Sequence, residues 1–168
     1  LALEPTKIGD VLSLLVLVLG VAQVKSEAVP VGCVEIRNRQ IDKFMINSNT
    51  HDSDRRHITY DKTAQQWVIT KEGDNYKITH GSLKEDLYES SQYFNGNYVF
   101  TWIPKTKITD GSATWIIWSS GTRGFFYIKN VKYQHCLYTR GMGNWIGAYA
   151  GCNGWNYEWQ IHQFKCKN

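Results

Sequence analysis

The chain has 168 residues, of which 42% are hydrophobic, 14% aromatic and 20% charged, and its formal net charge is +4. This aromatic fraction excludes a wholly disordered chain. Fourteen glycines and three prolines without a Gly-X-Y period exclude a collagen-like structure. A chain of this length suits one domain or at most two.

The first predicted element is a secretory signal peptide at residues 1–26. Lys7 precedes an uncharged apolar stretch, Val11–Ala22, and the small residue Ser26 marks the predicted cleavage point. A basic flank, a short apolar core and a small residue in this order are typical of a signal peptide. The stretch is too short for a membrane-spanning helix, which needs about 20 residues. We therefore expect a secreted, extracellular protein whose single mature domain is residues 27–168.

The mature domain consists of three copies of one sequence unit, at about residues 33–74, 75–124 and 125–168. Each copy opens on an Ile between polar residues and closes on a Trp that has an Ile two positions later. The spacing from the opening Ile to the closing Trp is 31, 37 and 31 residues, so we assign the six extra residues of the middle copy to a loop. The opening and closing residues are Ile36 and Trp67, Ile78 and Trp115, and Ile128 and Trp159.

Within each copy the local pattern is one of short strands and tight turns. Segments 98–103 and 125–129 are rich in aromatic and β-branched residues, which favour strands. Asn95-Gly96 and Asp110-Gly111 are typical hairpin turns. This pattern indicates an all-β barrel or sandwich. Because one copy cannot bury its own closing Trp, the three must share a core, and about four strands per copy then predict a β-trefoil.

Four cysteines lie in the mature domain. In a secreted chain this number predicts two disulfides, and three pairings are open. The sequence has no C-x-x-C pair and no His at zinc-ligand spacing from a Cys, so we expect no metal. The cysteines are Cys33, Cys136, Cys152 and Cys166.

The third copy resembles the ricin-type β-trefoil lectins, in which a Cys-Leu pair, a second Cys and a Gln-x-Trp end each repeat. Cys136-Leu137 and Cys152 match that pattern, and residues 65–67 form an intact Gln-x-Trp in the first copy. More narrowly, the signal peptide, four Cys and seven Trp are similar to the cysteine-and-tryptophan-rich salivary proteins of culicine mosquitoes. That family is regarded as secreted trefoils with sugar binding. The resemblance implies the disulfides Cys33–Cys166 and Cys136–Cys152.

The resemblance also implies a carbohydrate site in the third copy. Ricin-type repeats bind sugar with an Asp after the Cys-Leu pair, a mid-repeat aromatic ring and an Asn before the closing Gln-x-Trp. The Asp position is Tyr138 here, and it is Ile46 and Tyr88 in the first two copies, so galactose-type recognition is not expected. The predicted carbohydrate-binding residues are Tyr138, Trp145, Tyr149, Asn153 and Asn156.

Two tryptophans, Trp145 and Trp155, lie in Gly- and Asn-rich stretches where no periodicity calls for a large apolar residue. We interpret them as exposed rings available for binding. No G-x-S-x-G, H-E-x-x-H or Gly-rich phosphate loop occurs, so we expect neither catalysis nor a cofactor. A group of His and Asp residues is interpreted as a solvated loop rather than a metal site; its members are His51, Asp52, Asp54 and His57.

The expected function is therefore non-catalytic binding of a carbohydrate or glycoconjugate, which includes a host glycoprotein. The basic clusters are short and interrupted, which argues against nucleic acid. One alternative is a trefoil that inhibits host proteases or haemostatic factors by presenting Arg55 and Arg56 on a loop at residues 49–57. Another is weak glycosaminoglycan binding through four lysines, which are Lys105, Lys107, Lys129 and Lys132.

Overall fold

The computed structural model describes residues 26–93, 96–139 and 144–168. The predicted signal peptide lies outside these residues except for Ser26. The described chain forms β-strands and one short 3₁₀ turn. In chain order these are β1 (Gly32–Asn38), β2 (Lys43–His51), β3 (Arg55–Asp61), β4 (Trp67–Glu72), β5 (Asn75–His80), β6 (Asp86–Tyr93), β7 (Asn97–Trp102), β8 (Trp115–Ser119), β9 (Phe125–Asn130), β10 (Cys136–Tyr138), β11 (Gly147–Tyr149), the 3₁₀ turn (Trp155–Tyr157) and β12 (Trp159–Gln163).

Six of these strands close into a ring by antiparallel pairing. Around the ring, β1 pairs with β4, β4 with β5, β5 with β8, β8 with β9, β9 with β12, and β12 with β1. The other strands form the hairpins β2–β3, β6–β7 and β10–β11. These hairpins also pair with one another, β3 with β7 and β7 with β11. Each predicted sequence copy thus contributes one hairpin.

The three closing tryptophans have the same environment. All are fully buried, with 0% exposure, and lie in one core with the Ile residues that open each copy. Each indole Nε1 donates a hydrogen bond to a backbone carbonyl of the hairpin in its own copy, at 2.8, 3.0 and 3.0 Å. The donors and acceptors are Trp67 and Met45, Trp115 and Leu87, and Trp159 and Leu137.

A polar turn also recurs after the first strand of each copy. Asn38 and Asn130 are fully buried there, and the Oδ1 of each accepts backbone N–H groups two and three residues further on. His80 takes this place in the second copy, and its Nδ1 accepts the N–H of Leu83 at 3.2 Å. The residue four positions on has a positive φ each time and donates its N–H to the carbonyl of the turn's first residue. These residues are Asp42, Lys84 and Gln134.

Both disulfides implied by the resemblance are present. Cys33–Cys166 joins β1 to the C-terminal segment, and Cys136–Cys152 closes a loop within the third copy. The extra residues of the second copy lie between β7 and β8, at 103–114, as the loop interpretation expected. Among the residues that the structure describes, no helix has the length and apolarity that crossing a membrane requires.

Candidate functional site

Three tyrosines of the third copy pack together at its surface. Alternation along β10 and β11 buries Leu137 and Ala148 in the core, so the neighbouring Tyr138 and Tyr149 lie on the opposite face. The Tyr138 ring is 4.6 Å from that of Tyr149, edge to face, and 4.4 Å from that of Tyr157 on the 3₁₀ turn. All three are half-buried. We call Tyr138, Tyr149 and Tyr157 the tyrosine cluster.

Two glycines allow the rings of the cluster to lie where they do. Gly96 has a φ of 118°, and a Cβ at this position would collide with the Tyr149 ring. A Cβ at Gly151 would lie 2.6 Å from the Tyr157 hydroxyl. Burial, together with the neighbouring Tyr138, raises the pKa of both Tyr149 and Tyr157. The two phenols therefore stay neutral, and the Tyr149 hydroxyl is buried without a hydrogen-bond partner in the described part of the chain.

The other predicted site residues are distributed differently. Asn153 is exposed, and Asn156 is half-buried with its backbone carbonyl accepting a 2.9 Å hydrogen bond from Asn38 Nδ2. Trp145 does not join the cluster, and it is half-buried rather than exposed as the sequence suggested. Its ring stacks on His57 at 4.2 Å because the start of β11 lies beside the hairpin of the first copy.

Two aromatic residues outside the predicted carbohydrate site lie on the 3₁₀ turn, and one of them, Trp155, is exposed as the sequence suggested. Tyr157 occupies the Gln position of the lectin-type Gln-x-Trp and completes the cluster. Trp155 is 54% exposed and lies over the Arg39 guanidinium, 4.2 Å from its carbon to the ring centroid. A 3₁₀ turn has no periodicity that a short sequence could reveal. The signal that was available is the presence of two large rings in a Gly- and Asn-rich segment.

In the second copy, the residue equivalent to Tyr138 is buried. Tyr88 is only 8% exposed and packs edge to face on Trp102 at 5.7 Å. Ile108, from the longer connection at 103–114, packs against the same apolar cluster. Burial raises the pKa of the Tyr88 phenol. In the first copy the position is held by Ile46, which offers no aromatic ring.

Residues 49–57, considered as an inhibitory loop, are the β2–β3 hairpin with its turn. Arg56 donates to the buried Glu85 carboxylate at 3.0 Å. Arg55 donates to Asp52 at 2.8 Å and to Gln92 at 2.6 Å. Backbone N–H groups, with the Arg55 guanidinium, lower the pKa of Asp52 to about 2, so this pair stays charged. Both guanidinium groups are thus engaged within the protein.

A cleft of about 750 Å³ lies beside the Cys33–Cys166 disulfide. Gln65, at its wall, already accepts the N–H of Asn47 and contacts His80 Nε2 at 2.8 Å. Burial lowers the pKa of His80 to about 4, so its ring is neutral. These side chains serve the local turns rather than a ligand. In the described part of the chain, no group of three or more His, Cys, Asp or Glu side chains is placed to hold a metal ion.

Comparison with solved structures gives the family. A salivary protein from Culex quinquefasciatus of the Cysteine and Tryptophan-Rich (CWRC) family is 48% identical, with a TM-score of 0.79, covering 82% of this chain and 96% of that chain. This chain belongs to the CWRC family. A second CWRC salivary protein of that mosquito is 26% identical over the same shares, with a TM-score of 0.70. No protein-family model and no curated protein matches the CWRC chain.

More distant structures share the fold alone. The designed threefold-symmetric protein ThreeFoil is 17% identical, with a TM-score of 0.68, covering 79% of the CWRC chain and 99% of its own. A proteinase inhibitor from Coprinopsis cinerea is 12% identical, with a TM-score of 0.63 and shares of 82% and 100%. A Polyporus squamosus lectin is 15% identical, with a TM-score of 0.61 and shares of 80% and 50%.

Proposed function

We propose that this CWRC chain is a secreted, non-catalytic β-trefoil of saliva that binds carbohydrate through the tyrosine cluster of its third copy. The trefoil assignment is supported by the closed ring of six strands, the three hairpins and the three equivalent tryptophans. Its likeness to a designed threefold-symmetric protein points the same way. Secretion is supported by salivary relatives and by two disulfides, which persist in oxidising compartments.

One observation carries the binding proposal: of the two copies with Tyr at the lectin Asp position, only the third leaves that side chain partly exposed, because Tyr138 is half-buried and Tyr88 is buried. Tyr138 is bordered by the rings of Tyr149 and Tyr157, whereas Tyr88 is covered. Sugars have apolar ring faces and hydroxyl rims, and aromatic side chains with polar tips match both. A Polyporus squamosus lectin has a similar fold over half of its chain, which supports the proposal.

The chemistry of the cluster also restricts the sugar. Tyr138 and Tyr157 offer phenol groups, the Tyr149 hydroxyl is buried, and the cluster contains no carboxylate, which galactose-type trefoil sites use to hold sugar hydroxyls. A phenol hydroxyl can donate to a carbonyl, and a phenol ring can contact a methyl group. An acetamido group presents both, so we expect N-acetylated hexosamines to bind in preference to galactose.

A glycan array with the mature protein tests this proposal. Tyr138→Ala should weaken binding to N-acetylated glycans at least tenfold, about 1.4 kcal/mol, while Tyr138→Phe should lose only the hydroxyl contribution. Tyr133→Ala is the matched control, because Tyr133 is a half-buried tyrosine of the same copy whose ring lies beside His135. Failure of the wild-type protein to bind any glycan, or equal binding by Tyr138→Ala, would contradict the proposal.

Protease inhibition is the second candidate, and a fungal proteinase inhibitor does share the fold. The engagement of Arg56 by Glu85 and of Arg55 by Asp52 gives it no support at the predicted loop. Glycosaminoglycan binding is also less favoured, because the Lys132 ammonium is paired with Asp110 at 2.7 Å. A serine-protease panel and heparin elution with salt would separate both from sugar binding.

A further inference from the structure

Trp155 is an exposed aromatic residue whose ring packs on the side chain of Arg39. It is one of three large hydrophobic side chains that are exposed in the described chain, with Val31 and Tyr93. Its ring lies over the Arg39 guanidinium at 4.2 Å, a distance at which a cation is attracted to an indole. With 54% of its surface accessible, the indole remains available to a ligand.

Arg39 is itself fixed on several sides. Its guanidinium donates to both carboxylate oxygens of Glu158, at 3.1 and 3.2 Å, and to the Thr122 hydroxyl at 3.2 Å. It also lies 4.9 Å from the centroid of the Phe125 ring. Because the Glu158 carboxylate is buried and balances the charge of Arg39, the support under Trp155 is both rigid and neutral overall. A ring held in this way loses little conformational entropy when a ligand stacks on it.

The turn that carries Trp155 also carries part of the tyrosine cluster. Tyr157 lies two residues further on and packs on Tyr138 at 4.4 Å. Between them, the Asn156 carbonyl is bonded to Asn38 Nδ2, and the N–H of Glu158 donates to the carbonyl of Trp155. One anchored turn thus carries both an exposed indole and a ring of the tyrosine cluster.

The size of the exposed apolar surface favours a sugar over a protein partner. A stable protein interface buries about 1,200–2,000 Å² and has several apolar anchors. Trp155 is a single ring whose neighbours Asn153 and Gly154 are exposed and offer amide and backbone groups. One indole with polar groups at its edge is the right size for the apolar face of one hexose.

We propose that Trp155, supported by Arg39, is a second stacking position for sugar and that the CWRC chain binds oligosaccharides extending from the tyrosine cluster across this ring. This inference rests on the carbohydrate binding proposed above. It assigns Tyr138 to the recognition of one sugar residue and Trp155 to a neighbouring residue of the same glycan. The affinity should then depend on the length of the glycan, because only a longer glycan contacts both positions.

Titration calorimetry with N-acetylglucosamine and its β1,4-linked tetramer separates the two positions. Trp155→Ala should weaken binding of the tetramer about tenfold or more and leave the monomer within about twofold of wild type. Trp155→Phe should retain most of the affinity for the tetramer. Tyr138→Ala should weaken both ligands. Trp118→Ala is the control, because Trp118 is a half-buried indole outside the proposed site whose ring lies against Tyr127 on β9.

A second measurement uses the fluorescence of the exposed indole. The tetramer should shift the tryptophan emission of the wild type to shorter wavelength, and Trp155→Ala should lose that shift. Tetramer binding that is unchanged in Trp155→Ala but lost in Tyr138→Ala would overturn the second position and leave the proposed function standing. Wild-type protein that binds neither monomer, tetramer nor any arrayed glycan would overturn both.

Discussion

Tyr88 and Tyr138 occupy the same position in the second and third copies, yet Tyr88 is buried and Tyr138 is only half-buried. The difference comes from the connections that follow the hairpins. In the second copy the long connection at 103–114 packs Ile108 onto the cluster around Tyr88. In the third copy the segment after β11 is held by Cys136–Cys152 and packs Tyr157 beside Tyr138, which stays half-buried.

This comparison shows where the repeated unit is constrained and where it is free. The closing tryptophans keep one environment in all copies, because the shared core needs each of them. The position after the Cys-Leu or equivalent pair lies outside that core, so each copy can use it differently. The second copy uses it for stability, and the third copy is the one in which we propose binding.

The largest expected effect on stability comes from replacing the core tryptophans one at a time, which tests whether the three copies are equivalent. Each of Trp67→Ala, Trp115→Ala and Trp159→Ala should lower the free energy of unfolding by about 3–5 kcal/mol, because each leaves a large cavity. Urea unfolding followed by circular dichroism measures this. Trp155→Ala, at an exposed ring, should change it by about 0.5 kcal/mol or less. A core Trp whose loss costs as little as that of Trp155 would show that the copies are not equivalent.

Tyr88→Ala and Tyr138→Ala sharpen the comparison at the position where the copies differ. Loss of the buried ring of Tyr88 should cost about 3 kcal/mol of stability, whereas loss of the half-buried Tyr138 should cost about 1 kcal/mol. Glycan binding should show the opposite order. Equal losses of stability in the two variants would mean that the 103–114 connection does not bury Tyr88 in solution.

The last prediction concerns pH and the one copy whose first turn has His instead of Asn. Burial lowers the pKa of His80 from 6.5 to about 4 in the folded protein. The unfolded chain therefore takes up a proton below pH 6.5 and the folded protein does not, so stability falls as pH drops from 6.5 towards 4. The slope is at most about 1.4 kcal/mol per pH unit.

His80→Asn should remove this part of the pH dependence, because Asn38 and Asn130 make the same turn with a group that does not titrate. Thermal unfolding between pH 7 and 4.5 compares the variant with the wild type. If the melting temperatures of the two proteins change equally with pH over that range, the buried imidazole does not cause the pH dependence of stability.

The sequence alone was sufficient to predict the structural features that repeat along the chain. The spacing of the closing tryptophans predicted a shared core because only burial explains three indoles in phase. This repeat is a periodic property, which one chain displays directly. The correct disulfide pairs were implied by the resemblance to lectins.

The features that the sequence did not predict depend on contacts between segments that are far apart in the chain. Trp145 lies close to Tyr149 in sequence, yet it stacks on His57 of another hairpin, which no local pattern indicates. The role of Arg39 beneath Trp155 likewise requires the first and last copies to be adjacent. The exposure of Tyr138 is set by the path of the connections, and turn residues specify this path only loosely.

The Cys33–Cys166 bridge also determines how the molecule responds to mechanical force. Because β1 already pairs with β12, the bridge covalently ties β1 to the segment that follows its hydrogen-bonded neighbour. A stretching force applied at residues 27 and 168 would be carried by the Cys33–Cys166 disulfide rather than by the hydrogen bonds of the sheet. Only the short segments outside the bridge would extend, and all three copies would remain folded until a reductant cut the bond.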